Sequence, residues 1–257
     1  MIEIKNITKS YDGRYVLHDI SAVFETGKTN LIIGRSGSGK TVLLKNVIGL
    51  VKPDSGEILF DGRDLLKMKR HEVLALRREM GLLFQGSALF DSMTVLENVM
   101  FPLEMFSRDT YNERLKRAIT CLERVDLSEE SYHCYPSEIS GGMMKRAAIA
   151  RAIVLYPKYL FCDEPNSGLD PKTALIIDDL IHSISHEYGM TAVINTHDMN
   201  SVMNIGENIL FIKEGFKEWG GVKEQVTHSN NQSLDDFIFA SELFRKVKES
   251  EEISQKK

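Results

Sequence analysis

An α/β fold is what the sequence predicts, with a buried parallel sheet, an antiparallel β subdomain and an inserted α-helical subdomain. Three observations carry this. Residues 2–24 hold short alternating or apolar stretches (Ile2-Glu3-Ile4, Tyr15-Val16-Leu17, Ile20 to Phe24) split by the turn signal Asp12-Gly13, the pattern of antiparallel strands. Continuous apolar runs such as Tyr159-Leu160-Phe161-Cys162 end in polar residues, as central parallel strands buried on both faces do. Between Gln85 and Pro157 the apolar spacing turns helical, with Leu115, Ile119, Leu122 and Val125 on one face.

Composition sets outer limits. With 257 residues, 42% hydrophobic and 27% charged, the chain can bury one sizeable core or a core with a lobed insertion. A net charge of -5 and a pI near 5.9 argue against nucleic acid as the main partner, since phosphate-backbone binding needs dense Lys/Arg patches. Cys121, Cys134 and Cys162 are odd in number and lack C-x-x-C spacing, so reduced thiols are expected in place of a disulfide framework or a zinc site. No basic and apolar leader opens the sequence, and nowhere do about 18 apolar residues run together. A cytoplasmic protein is expected, touching membrane only through a partner.

Taken in order, the first strands carry Tyr11, which reads as a half-buried strand aromatic or as a ring stacked on a nucleotide base. After the apolar Leu31-Ile32-Ile33 comes Gly34-Arg35-Ser36-Gly37-Ser38-Gly39-Lys40-Thr41, a match without mismatch to the phosphate-binding pattern G-x-x-x-x-G-K-[ST]. Its glycines let successive N–H groups face phosphate oxygens, and the helix starting near Lys40 adds its positive end. Lys40 would reach the β- and γ-phosphates and Thr41 would ligate Mg²⁺. A Gly/Ser-rich surface turn is the competing reading, weakened by the preceding strand and by the apolar helix start Val42-Leu43-Leu44. ATP or GTP binding follows. Downstream, a helix ends near Gly49, an edge hairpin turns at Asp61-Gly62, residues 64–79 form surface helix, and Met80 to Phe84 make a buried strand ending at Gln85. That position points toward the crevice where ligands bind in open α/β sheets.

The last helix of the inserted lobe opens at Ser140-Gly141-Gly142, with Met143, Ala147, Ala150 and Val154 on one face and Lys145, Arg146 and Arg151 on others. A helix start with two glycines and no acidic residue in its first turn is a second anion site, or else a helix simply capped by Ser140. The run Tyr159 to Cys162 ends in Asp163-Glu164 where the phosphate loop opens. Asp163 would hold Mg²⁺ through water, and Glu164 would orient and deprotonate an attacking water. Without the phosphate loop the same pair would read as a helix-start signal. Ser167 to Pro171 turns into a helix of Ala174, Ile177, Leu180, Ile181 and Ile184. The strand Thr191 to Thr196 ends at His197, a structural histidine or one on the ligand edge. Past residue 227 a polar hinge precedes a helix, with Ser233 as N-cap and Phe237, Ala240, Phe244 and Val247 on one face, and then a charged, mobile tail.

Together these residues make the chain resemble the ATP-binding subunit of ABC transporters over roughly residues 2–225. Tyr11 is similar to the family's A-loop aromatic, Gly34 to Thr41 to Walker A, Gln85 to the Q-loop glutamine, and Ser140-Gly141-Gly142 to the core of the LSGGQ signature. Leu160 to Glu164 looks like Walker B, Asp170 the D-loop, and His197 the H-loop. The signature's last glutamine is replaced by Met143, which leaves Ser140 and Gly142 intact. Residues 83–99 and Phe101-Pro102-Leu103, with Met after the signature glycines, look like the ATPases of MCE-linked phospholipid transporters, the Mla system.

The resemblance implies a P-loop NTPase core of ABC type with an antiparallel β subdomain and an inserted α-helical subdomain. Residues 1–226 would be the ATPase domain, with the helical subdomain at about 88–157, and 227–257 a C-terminal extension. It also implies a head-to-tail homodimer in which ATP lies between residues 34–42 and Tyr11 of one copy and Ser140, Gly141, Gly142 and Asp170 of the other. Glu164, His197, Gln85 and Lys40 would act in hydrolysis, and Thr41, Gln85 and Asp163 would hold Mg²⁺. A membrane permease on the inner membrane, an MCE-type lipid-binding protein and a small regulatory subunit are the implied partners. Ala88, Leu89, Phe90, Phe101 and Leu103 would form a groove for a permease helix. The competing class is a non-transport ABC ATPase, which would need a long coiled coil or a second cassette that this chain lacks; an ATPase of another transport or cell-envelope system stays open.

Overall fold

The computed structural model is described over residues 1–238. In chain order the strands are β1 (Ile2–Tyr11), β2 (Arg14–Phe24), β3 (Thr29–Ile33), β4 (Ser55–Phe60), β5 (Arg63–Asp64), β6 (Met80–Leu83), β7 (Tyr159–Asp163), β8 (Thr191–Thr196), β9 (Asn208–Lys213) and β10 (Phe216–Val222). The α-helices are α1 (Lys40–Val47), α2 (Arg70–Arg78), α3 (Val95–Phe106), α4 (Tyr111–Arg124), α5 (Gly141–Ile153), α6 (Pro171–Glu187), α7 (Met199–Ile205) and α8 (Gln232–Ile238). The ten strands order as β5-β4-β1-β2-β10-β9-β3-β8-β7-β6. Strands β9, β3, β8, β7 and β6 pair in parallel, and β5, β4, β1 and β2 form an antiparallel wing. A single parallel pairing, Phe216 with His18, joins the two. The stretches Tyr15–Leu17 and Ile20–Phe24 both lie in one long β2, which pairs with β1 through several register slips.

Strands β3, β7 and β8 are buried at every residue, the consequence of helices covering both faces. One core cluster lies between the sheet and α3, α4, α5 and α6; the other lies between the sheet's opposite face, α1 and the antiparallel wing. In the helical lobe, Thr94 and Thr110 cap α3 and α4 with reciprocal bonds to Glu97 and Glu113, which fixes where each helix starts. Helix α5 is corrected from a one-faced amphipathic helix to one buried nearly all round, Lys145 included. Leu103 is fully buried, and Leu89 is half-buried on the helical core. Of the expected groove, Ala88 and Phe90 are exposed, Leu89 and Phe101 are half-buried and Leu103 is withdrawn into the core; the two rings meet edge to face at 4.8 Å. Helix α8 is capped by Asn231, whose Oδ1 accepts from the Leu234 amide at 2.9 Å, while Ser233 Oγ accepts from Lys213 Nζ. Asn231 thus replaces Ser233 as the cap. Leu234, Phe237 and Ile238 pack into the core, Phe237 on Phe211. Ala240, Phe244, Val247 and the charged tail lie outside the described residues.

Asp178 on α6 is buried, and it shares Asn166 with Ser201 of α7. One of its oxygens has no partner among the described residues, and burial pushes its carboxyl up to about 6 from an ordinary 3.8. Between those values the folded chain keeps a proton that the unfolded chain has released, so stability falls as pH rises through the window. Asp178→Asn removes the titrating group. Its stability relative to the native protein should rise by roughly 2 kcal/mol from pH 4 to pH 6.5, as read from urea midpoints across that range.

Candidate nucleotide site

The C-terminal ends of β3, β7 and β8 converge because their register pairs Ile33 with Thr196 and Asp163 with Asn195. The loop of residues 34–39 leaves β3 there and feeds α1. Its backbone is held from behind. A side chain at Gly34 would sit 2.2 Å from the Ile212 carbonyl and one at Gly39 would press on Leu17 and Val16 of β2, while the Gly215 amide donates to Ser38 O at 3.0 Å. Gly37 and Gly39 adopt left-handed φ of 81° and 107°, which costs least at glycine. Arg35, Ser36 and Gly37 are exposed, whereas Ser38, Gly39 and Lys40 are buried.

Lys40 Nζ reaches back to the Gly34 and Arg35 carbonyls at 2.8 and 3.2 Å and lies 3.7 Å from Glu164 Oε1. Burial holds its pKa below that of an ordinary lysine, opposed by Glu164 and Asp163. Ser38 Oγ is buried without a partner among the described residues. An orphan hydroxyl and a buried ammonium that is held by two carbonyls and faces the Glu164 carboxylate are the donors that phosphate oxygens would take up. Thr41 Oγ1 donates to Asp163 Oδ1 at 3.1 Å, and Asn195 Nδ2 donates to the same oxygen at 2.9 Å. A hydroxyl beside a carboxylate is an all-oxygen set of the kind Mg²⁺ takes. Val42 follows Thr41 on α1, half-buried.

Glu164 follows β7 with φ 49°, a left-handed value that costs a non-glycine residue on the order of 1 kcal/mol. The turn is locked by Glu164 N donating to Asn195 O and by Ser167 N donating to Glu164 O. It aims the Glu164 carboxylate at His197, whose Nδ1 lies 2.7 Å from Oε2. The carboxylate is thereby gripped by an imidazole on one side and faces Lys40 on the other. Gln85 is exposed, and its Nε2 bonds Ser167 Oγ at 3.2 Å. Tyr11 ends β1 at the Asp12-Gly13 turn, 45% exposed, with Lys9 Nζ 5.2 Å from its ring centroid.

A second half-site stands apart. Ser140 caps α5 by accepting from the Met143 amide, and Asp170 caps α6 by accepting from Lys172 and Thr173 amides. Ser140, Gly141, Gly142, Asp170 and Thr173 line one open hollow that contains none of residues 34–42. Gly142 packs closely there, since a Cβ would meet the Thr173 side chain at 2.9 Å and force it to shift.

Some participants escaped the sequence reading. Lys145 Nζ donates to the Gln85 carbonyl, and Arg151 donates to those of Ala88 and Ser87, both at 2.7 Å. Burial lowers the pKa of both cations. They pin the segment after Gln85, where Ser87 and Ala88 take left-handed φ. Asn195 was the legible one, an amide inside an otherwise apolar strand; Lys145 and Arg151 looked like solvent-facing charges.

The family model for the ABC transporter matches residues 17–167. A probable ribonucleotide transport ATP-binding protein of Mycobacterium leprae (strain TN), mkl, is 38% identical over 92% of this chain, which spans 68% of that protein. An intermembrane phospholipid transport system ATP-binding protein of Haemophilus influenzae, MlaF, is 35% identical over 93% of this chain and 90% of its own length. The dimeric structure of a post-hydrolysis state of an ATP-binding cassette bound to ADP and Pi superposes with a TM-score of 0.79 at 35% identity, over 87% of this chain and 99% of that one. With Lys40, Thr41, Asp163, Glu164 and His197 gathered at one end of a P-loop sheet, the chain belongs to the ABC transporter family, as one of its ATP-hydrolysing cassettes.

Proposed function

We propose that this chain is the ATP-hydrolysing subunit of a transporter that moves phospholipid between bacterial membranes, bound to the cytoplasmic face of the inner membrane through a permease. The observation that carries the dimeric part is the split site. Each chain holds a phosphate loop and, in a separate hollow, the free helix start of Ser140. Head-to-tail pairing would bring the two halves of different copies onto one nucleotide, with Tyr11 against the base. Mg²⁺, held by Thr41, Gln85 and Asp163, would neutralise charge on the phosphates. Lys40 would cover the γ-phosphate, and Glu164, oriented by His197, would take the proton of the attacking water. Met143 leaves the Ser140 hydroxyl and the helix-start amides in place.

The lipid cargo is supported by the resemblance of residues 83–103 and by the length match, since the chain spans 90% of the Haemophilus phospholipid relative. The mycobacterial relative, described as a ribonucleotide transporter, supports a second cargo. Purification of the chain with its permease and any MCE-type or small regulatory partner, followed by lipid analysis, decides between them: phospholipid carried and transferred supports the first, none removes it.

Two variants test the parts. Glu164→Gln keeps size and shape but removes the base, so ATP turnover should drop by about a hundredfold or more while light scattering with ATP and Mg²⁺ finds an ATP-bound dimer. A monomer at saturating ATP would end the head-to-tail dimer reading. Phe90 is 42% exposed, with its backbone held by Asn98, so a charge there should spare folding. Phe90→Glu should bind ATP normally yet lose co-purification with the permease; unchanged docking would exclude this groove.

A further inference from the structure

Far from the phosphate loop, at the N-terminal end of β3, two histidines and a carboxylate share one spot. His182 and His186 are four residues apart on α6, hence stacked on one face, with ring centroids 4.3 Å apart. Glu207 immediately precedes β9, and its Oε2 lies 2.9 Å from His186 Nε2. One ligand atom from each of the three residues falls within 4.8 Å of the others. We infer that His182, His186 and Glu207 form a binding site for a divalent transition-metal ion of the zinc type.

Three features favour a metal over a plain ion pair. The carboxylate is fixed before any ion arrives, because Glu207 Oε2 accepts from Thr29 N at 2.7 Å and Glu207 N donates to Thr29 O. His182 Nδ1 lies 3.0 Å from Thr29 Oγ1, the outer hydrogen bond that orients a ligating imidazole. The ion pair alone needs only His186, yet His182 is carried on the same face. Burial and His186 lower the pKa of His182, outweighing Glu207 and Asp179. Two imidazoles with one carboxylate suit zinc or its neighbours, not Mg²⁺ or Ca²⁺. Ligands about 3.3 Å apart, the spacing a tetrahedral zinc at 2.0–2.1 Å sets, need only small side-chain movements. The partial exposure of His186 gives access and leaves a fourth position to water. The ion would tie the C-terminal end of α6 to the starts of β3 and β9.

The test uses the full, untagged chain in excess Mg²⁺, so that oxygen-ligand sites are filled. Zinc titration by calorimetry should find one equivalent, with Co²⁺ giving the visible absorption of a low-coordinate site. His186→Ala, at a position 42% exposed, and Glu207→Gln should each weaken zinc binding by about tenfold or more, lose the Co²⁺ band, and keep native ATP binding. Zinc should raise the melting temperature of the native chain and leave that of His186→Ala unmoved. Equal zinc affinity in the native chain and His186→Ala, or no zinc binding at all, overturns the site.

Discussion

Burial of three strands along their whole length is the constraint from which the rest follows. A strand covered on both faces can hold its peptide groups only by pairing on both edges, so β3, β7 and β8 lie next to one another, and polar side chains are pushed to their ends. The parallel register then brings those ends to one line, Asp163 opposite Asn195 and Ile33 opposite Thr196. That register gathers the carboxylate pair and histidine of residues 163–197 beside a phosphate loop more than a hundred residues earlier in the chain. The opposite ends of the same strands gather a second polar group, where Asn30 bonds the carbonyls of Glu25, Lys28 and Ala192 and Thr29 holds Glu207.

A physical tie runs from that line of chemistry to the helical lobe. Burying Lys145 and half-burying Arg151 is costly, as their lowered pKa values reflect, and neutral carbonyls offset it only in part. Those carbonyls belong to Gln85, Ser87 and Ala88, which the left-handed turns of Ser87 and Ala88 direct inward. Helix α5, which begins at Ser140, is therefore bolted to the segment that carries Gln85 and leads to Phe90. A shift of α5 has to carry that segment with it or leave buried cations unpaired, which is the larger cost.

How much of this was legible in the sequence depends on the range of the interaction. The phosphate loop, the acidic end of β7 and the polar end of β8 are local patterns set by strand period and turn chemistry, and they were read at the positions where the structure brings them together. The Ser140 cap was likewise local. What was missed is tertiary. Charge at 145 and 151 marks a surface on helical periodicity alone, and only the packing of α5 between lobe and sheet reveals a buried donor at Lys145 and a half-buried one at Arg151. Leu103 has no sequence sign that separates core from groove, because both are apolar. Ser233 and Asn231 are both good caps, and the choice fell to Asn231 because Lys213 engages the Ser233 hydroxyl.

Helix α6 shows why both ends of one element matter. It starts at Asp170, in the hollow shared with Ser140, and ends seventeen residues later beside His186 and Glu207, roughly 25 Å away at the rise of an α-helix. Asp178 lies between, buried and linked through Asn166 and Ser201 to the turn after Glu164 and to α7. The side chains that fix the helix along its length are thus polar and few, and its apolar face of Ile177, Ile181 and Ile184 is non-directional packing. Hydrogen bonds and ligands set the rotation and axial position of such a rod more sharply than hydrophobic contact does. Whatever clamps the Glu207 end therefore bears on how Asp170 is presented in the hollow at the other.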